Sequence, residues 1–166
     1  MSNRVNHPEY YKKNGIETIE VIRHYVCDIA NAQKYLMRAG EKPEQGMTAE
    51  EKEVEDLRKA LWYIQDVREN SLSILLQAKV VTEPTMLLKI FDTTGHKGED
   101  ITEDFNEHIS EAISNLLMVG LISGGKIYRC RMSSVYLSNA TQEIQQRILE
   151  IESQGLKKDL DNDNEK

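Results

Sequence analysis

Two sets of side chains in this sequence have types and spacings that could do chemistry. The first runs Glu20, His24, Cys27, Asn31, Lys34, Tyr35, Arg38. Steps of three, four or one residue keep these side chains on one stripe of an α-helix. An acid, an imidazole, an amide and two cations in linear order would line a polar ligand site. The guanidinium fork of Arg38 could donate to two phosphate oxygens. The second set is Asp56, Lys59, Tyr63 and Asp66, spaced three, four and three. If the two stripes face each other, they enclose a cleft with acids toward one end and bases toward the other. An acid there could hold a metal or a sugar hydroxyl.

The same residues also fit an ordinary solvated face. Cations in the last turn of a helix offset its dipole by about 0.3–1 kcal/mol each with no ligand present. Glu20 with His24 and Asp56 with Lys59 are helix-surface pairs, worth roughly 0.2–0.5 kcal/mol. Anions prefer helix N-termini, so a phosphate beside Arg38 would have to be gripped by side chains against the dipole.

Other chemistries lack their signatures. The four histidines, His7, His24, His96 and His108, do not cluster as zinc ligands do. Cys27 and Cys130 have no disulfide-framework spacing, which points to a reducing compartment. Cys27 is expected to be a buried structural thiol. The sequence contains no GxxxxGK[ST], GxSxG or HExxH.

The elements that must position these residues follow from periodicity. Residues 1–15 are polar and expected to be extended. A helix is expected over 16–39, closed by Gly40. A loop, EKPEQGMT, leads to a capping box at Thr48 and Glu51 and a second helix over 49–69 with the apolar stripe Val54, Leu57, Leu61, Ile64. Beyond it, SLSILLQAKVV is ambiguous, PTMLLKIFDTTG and EHISEAISNLLMVGLI read as helices, and ITEDFN as a short element. SGGKIYRCRMSSVYLS alternates like a hairpin, with Gly124-Gly125 as its turn. TQEIQQRILEIES is a helix and GLKKDLDNDNEK an expected disordered tail. The fold class is therefore mainly α: an N-terminal helical hairpin domain (1–70), a small α+β winged-helix-like module (71–155) and an acidic tail (156–166).

Composition bounds the partners. The chain is 39% hydrophobic and 30% charged, with a net charge of −7. Residues through Asn70 hold 11 basic and 13 acidic side chains (−2), and the remainder 10 and 15 (−5). This balance argues against bulk attraction to nucleic acid or an anionic membrane. The third helix of the module would present Glu107 and Glu111, which repel a phosphate backbone, so DNA is not the expected partner even though the wing offers Lys126, Arg129 and Arg131. The N-terminus has no apolar signal region and no run reaches membrane-span length, giving a cytoplasmic expectation.

The segments VNHPEYYKKNGIETIEVI, NAQKYLMRAGEK and EDLRKALWYI, over about residues 5–67, resemble the SaV-like family of small phage-encoded proteins, which includes the nucleotide kinase of short-tailed coliphages. The matching positions are His7, Pro8, Tyr11, Glu17, Glu20, Asn31, Lys34, Tyr35, Arg38, Gly40, Lys42, Asp56, Leu57, Lys59, Ala60 and Tyr63; the family's second histidine is Tyr10 here. The resemblance implies nucleotide handling in a host cytoplasm, with Lys34, Arg38, Lys42 and Lys59 as phosphate contacts and ATP and Mg2+ as cofactors if the chain acts as a nucleoside-monophosphate kinase. The alternatives are a non-catalytic binder of a nucleotide, signal molecule or other phosphorylated small molecule, and a winged-helix regulator or adaptor. A two-helix hairpin has little area to bury alone, so a homo-oligomer is expected.

Overall fold

The computed structural model describes residues 8–81, 86, 87, 89 and 97–164. The described elements are strands β1 (Lys12–Lys13) and β2 (Ile16–Glu17), helices α1 (Thr18–Ile22), α2 (Cys27–Met37) and α3 (Ala49–Asp66), a π-helical turn (Val67–Ser71), α4 (Leu72–Gln77), β3 (Lys79–Val81), α5 (Gly98–Thr102), α6 (Glu107–Leu117), β4 (Leu121–Ser123), β5 (Lys126–Cys130) and α7 (Ser133–Asn164). The chain is mainly helical. Among the described residues no helix is long and apolar enough to cross a membrane.

The expected extended stretch before residue 16 instead folds locally. Glu9–Tyr11 form a 3-10 turn, and β1 pairs antiparallel with β2 around Asn14 and Gly15. Both turn residues take positive φ, 51° and 77°. Asn-Gly is the favoured pair for such a two-residue turn.

The single helix expected over 16–39 is broken into α1 and α2. The break has a tertiary cause. Tyr25 is buried and its hydroxyl donates to the Leu117 carbonyl at 2.9 Å. Val26 N–H donates to the Gly120 carbonyl at 3.0 Å, and Ile122 N–H donates to His24. His24 and Tyr25 N–H still close the last turn of α1 on the Val21 and Ile22 carbonyls, while the His24 carbonyl and the Val26 N–H are taken by residues 120–122. Val26 is extended (ψ 149°), and α2 restarts behind it.

The loop between α2 and α3 follows its sequence signals. Gly40 has φ 77°, and Glu41 N–H returns to the Arg38 carbonyl at 2.9 Å. The Thr48–Glu51 capping box forms in both directions, at 2.7 and 3.1 Å. The hairpin packs within the chain, α2 on α6 and α3 on α7. Ile29, Leu36, Leu57 and Ile64 share one buried cluster with Ile113, Leu116, Leu121 and Ile144, so residues from both sides of position 70 build the same core.

The three-stranded sheet has the order β3-β5-β4, with β4 antiparallel and β3 parallel to β5. The Gly124-Gly125 turn is present, both at positive φ. The hairpin ends earlier than alternation suggested: residues 133–137 open α7. Leu137, Ala140, Ile144, Ile148 and Ile151 bury one helical stripe, and this packing overrides a short period-two stretch. α7 continues through Asn164, so residues 156–164, whose composition favours disorder, lie in the helix. Most of PTMLLKIFDTTG lies outside the described residues, as do His7 and His96.

Candidate ligand-binding face

The α2–α3 pair brings most of the sequence-selected residues together, but not as an open cleft. Leu36, Leu57, Ala60 and Ile64 fill the space between the helices. The two polar stripes meet at the edge of this seam, in a buried charge cluster and an aromatic layer.

The charge cluster centres on Asp56, which is fully buried. Its Oδ1 accepts from Arg38 Nη2 at 3.3 Å and lies 3.6 Å from Lys52 Nζ. Arg38 Nη1 donates to the Tyr11 hydroxyl at 2.6 Å. Arg38 is 6% exposed and Lys52 2% exposed. Lys52 also donates to Glu44 at 2.8 Å and to Glu55, which receives Lys59 as well. Burial by itself would lower the Lys52 pKa, but the hydrogen bonds to Glu44 and Glu55 and the Asp56 charge outweigh it and hold the ammonium well above the usual lysine value. The hydrogen bonds from Lys52 and then Lys59 pull the Glu55 carboxyl down to about 2.

Arg38 is thus committed to the protein. Freeing its fork for a phosphate would leave the buried Asp56 carboxylate with only Lys52, 3.6 Å away and already shared with Glu44 and Glu55. Breaking such a buried pair costs about 3–5 kcal/mol, more than a charge-assisted hydrogen bond of roughly 1.5–3 kcal/mol returns. Arg38 Nε and Asp56 Oδ2 are enclosed without hydrogen-bond partners, so the pair is not fully satisfied.

The aromatic layer lies over this cluster. The Arg38 guanidinium sits 4.7 Å from the Tyr35 ring centroid and 5.4 Å from that of Tyr11. Tyr35 stacks on Tyr63 with centroids 5.8 Å apart and planes 18° from parallel. Trp62 meets Tyr63 edge-on at 4.9 Å and is 61% exposed. The ammonium groups of Lys34 and Lys59 flank the Tyr35 ring at 4.7 and 5.7 Å. Lys34 donates to Asn31 Oδ1 at 2.9 Å, and Asn31 reaches the Cys27 sulfur at 3.5 Å. Burial, then the nearby Arg38 charge, lowers the Lys34 pKa. Burial, then Tyr35, raises that of Tyr63. Cys27 is exposed at the edge of this face, contrary to the expectation of a buried thiol, because the start of α2 turns it away from the core.

The remaining residues fall elsewhere. Glu20 accepts from the Glu17 backbone N–H at 2.7 Å and serves the start of α1. His24 sits in the break between α1 and α2, so neither continues the α2 stripe. Lys42 is half-buried in the α2–α3 loop, beside a cavity of about 230 Å³ that Glu44 and Lys52 also line. Asp66 closes α3 one turn beyond Tyr63.

Sequence reasoning missed three participants. Lys52 was hidden among the acids of α3. Tyr11 appeared only through the family resemblance. Trp62 was readable as an aromatic off the apolar stripe of α3, next to Leu61.

Residues 5–65 match the sequence model of a family described as a protein of unknown function (DUF3310). The match spans α1, α2 and nearly all of α3, the elements that build this face. No curated protein and no solved structure matches the chain.

Proposed function

We propose that this chain is a nucleotide-binding protein. Its ligand lies on the α2–α3 face, with the base against Trp62, Tyr63 and Tyr35 and the phosphate at Lys34 and Lys59. The observation that carries this reading is the layered aromatic surface, ending in an exposed tryptophan and flanked by two cations. A large aromatic left in water beside a stacked pair is an unfilled stacking position. A base placed there gains roughly 1–3 kcal/mol.

The two lysines suit the phosphate better than Arg38 does. Lys59 is held only by a part-exposed helix pair with Glu55, the kind worth about 0.3–0.5 kcal/mol, so it is easily redirected. Lys34 has a neutral amide as its hydrogen-bond partner, and an anion would reverse the unfavourable field it experiences. In this reading Arg38 is a positioning residue that stiffens the Tyr11–Tyr35 layer through Asp56.

Calorimetry with ATP and each deoxynucleoside monophosphate tests the proposal. Saturable binding that weakens at least tenfold in Tyr63→Ala and in Lys34→Gln supports it, and equal affinity in both variants overturns it. Incubating ATP with each monophosphate then separates a kinase from a binder: diphosphate product marks turnover, and tight binding without product marks sequestration. A winged-helix-like module over residues 71–155 remains part of the proposed architecture, and the order α5, α6, β4–β5 hairpin within it supports that reading.

A further inference from the structure

A second cluster of cations lies outside the α2–α3 face. Arg68 on the π-helical turn, Arg129 on β5 and Arg131 in the turn after it line a cavity of about 380 Å³ at the start of α7. Leu75 and Leu137 contribute apolar wall, and Ser134 and Ser138 add hydroxyls.

The charge state of this cavity is unlike the rest of the molecule. The chain carries −7 overall; Arg38, Arg58 and Arg147 hold the carboxylates of Asp56, Glu152 and Glu53, and Arg23 caps the Ile19 carbonyl. Among the described residues, none of Arg68, Arg129 and Arg131 has an ion-pair partner. The Nε of Arg129 is enclosed and has no acceptor. A buried donor left without an acceptor is costly to the fold, and three like charges around one cavity repel. An oxyanion in the cavity would offset the repulsion. Guanidinium groups present planar donor pairs that match phosphate oxygens.

We propose that this cavity binds the phosphate or pyrophosphate group of a small organic molecule, with Arg68, Arg129 and Arg131 as the anion contacts. Its size falls in the range of small-ligand sites, about 300–1,000 Å³, and its leucine wall suits the organic part of such a ligand. The net negative charge disfavours an extended polyanion in its place. The site shares no residue with the α2–α3 face, so its fate does not depend on that proposal.

Titration calorimetry of the full chain with inorganic phosphate and with pyrophosphate provides the test. Pyrophosphate is expected to bind saturably, and Arg131→Gln, at an exposed position, is expected to weaken it by about tenfold or more. Arg129→Gln should do the same while leaving the far-ultraviolet circular dichroism unchanged, and Trp62→Ala should leave pyrophosphate binding intact. No saturable heat with pyrophosphate, or the same affinity in Arg131→Gln as in the parent chain, would overturn the proposal. So would a short DNA duplex whose binding Arg131→Gln abolishes while pyrophosphate gives no heat, since that result marks a nucleic-acid surface.

Discussion

Replacing Asp56 with alanine tests the charge cluster that supports the aromatic layer. Asp56 has no solvent exposure and neutralises Arg38 at 3.3 Å, with Lys52 at 3.6 Å. Its loss strands the Arg38 guanidinium, which keeps only the neutral Tyr11 hydroxyl. Removing one partner of a buried pair costs about 3–5 kcal/mol. Two features place this case near the lower end. Lys52 retains Glu44 and Glu55, so only one cation is orphaned, and Asp56 Oδ2 already lacks a partner, so the native pair is not fully satisfied. The expected loss is therefore about 3 kcal/mol. With a urea slope of roughly 1–3 kcal/mol per molar, the unfolding midpoint should fall by about 1–3 M. Arg58→Ala is the matched control: its pair with Glu152 is largely exposed and should contribute below about 1 kcal/mol. Urea unfolding followed by circular dichroism reads both. If Asp56→Ala costs no more than Arg58→Ala, Arg38 is free to leave Asp56 and the assignment of its role is wrong.

Three further outcomes are expected. His108 lies between Glu143 (2.6 Å) and Glu150 (3.0 Å), and the hydrogen bond to Glu143 raises its pKa above the usual value, with burial opposing and Glu150 adding to the rise. Protonated His108 therefore stabilises the α6–α7 contact fully below about pH 6.5. That contribution fades as pH rises through the raised folded value, so thermal melts of His108→Gln and the parent chain should differ more at pH 5.5 than at pH 8.5; a constant difference would refute the linkage. Cys27 is exposed and Cys130 buried, so iodoacetamide should label Cys27 alone in the folded chain, and a saturating nucleotide should slow that labelling, as mass spectrometry can show. Gly120 has φ 69°, and an added Cβ would lie 2.8 Å from Val26 Cγ2; Gly120→Ala should cost about 2–4 kcal/mol in urea unfolding.

Local signals in the sequence located what local physics controls. The Thr48–Glu51 box and the left-handed Gly40 fixed the α2–α3 loop, and of the stripe Val54, Leu57, Leu61, Ile64 all but the half-buried Leu61 lie on the buried face of α3. Long-range pairing was invisible. The break at residues 24–26 depends on hydrogen bonds to residues 120–122, and no feature of the α1–α2 segment alone announces them. The candidate site was legible as a set of residues on α2 and α3, but not in its roles. Wheel geometry put Arg38 in a stripe open to a ligand; it could not show that Asp56, one helix away, takes the guanidinium inside. The buried ammonium of Lys52 was equally hidden, because its position reads as one more surface charge among Glu50, Glu51 and Glu53.

The most direct measurement of the central claim uses Trp62, the only tryptophan in the chain. Its emission reports from the proposed base-stacking position with no added label. Titrating the protein with ATP and with deoxynucleoside monophosphates should give saturable quenching whose midpoint agrees with calorimetry and shifts to higher concentration in Tyr63→Ala and Lys34→Gln. Saturable heat with unchanged Trp62 emission would put the nucleotide elsewhere, and absence of both would contradict nucleotide binding itself.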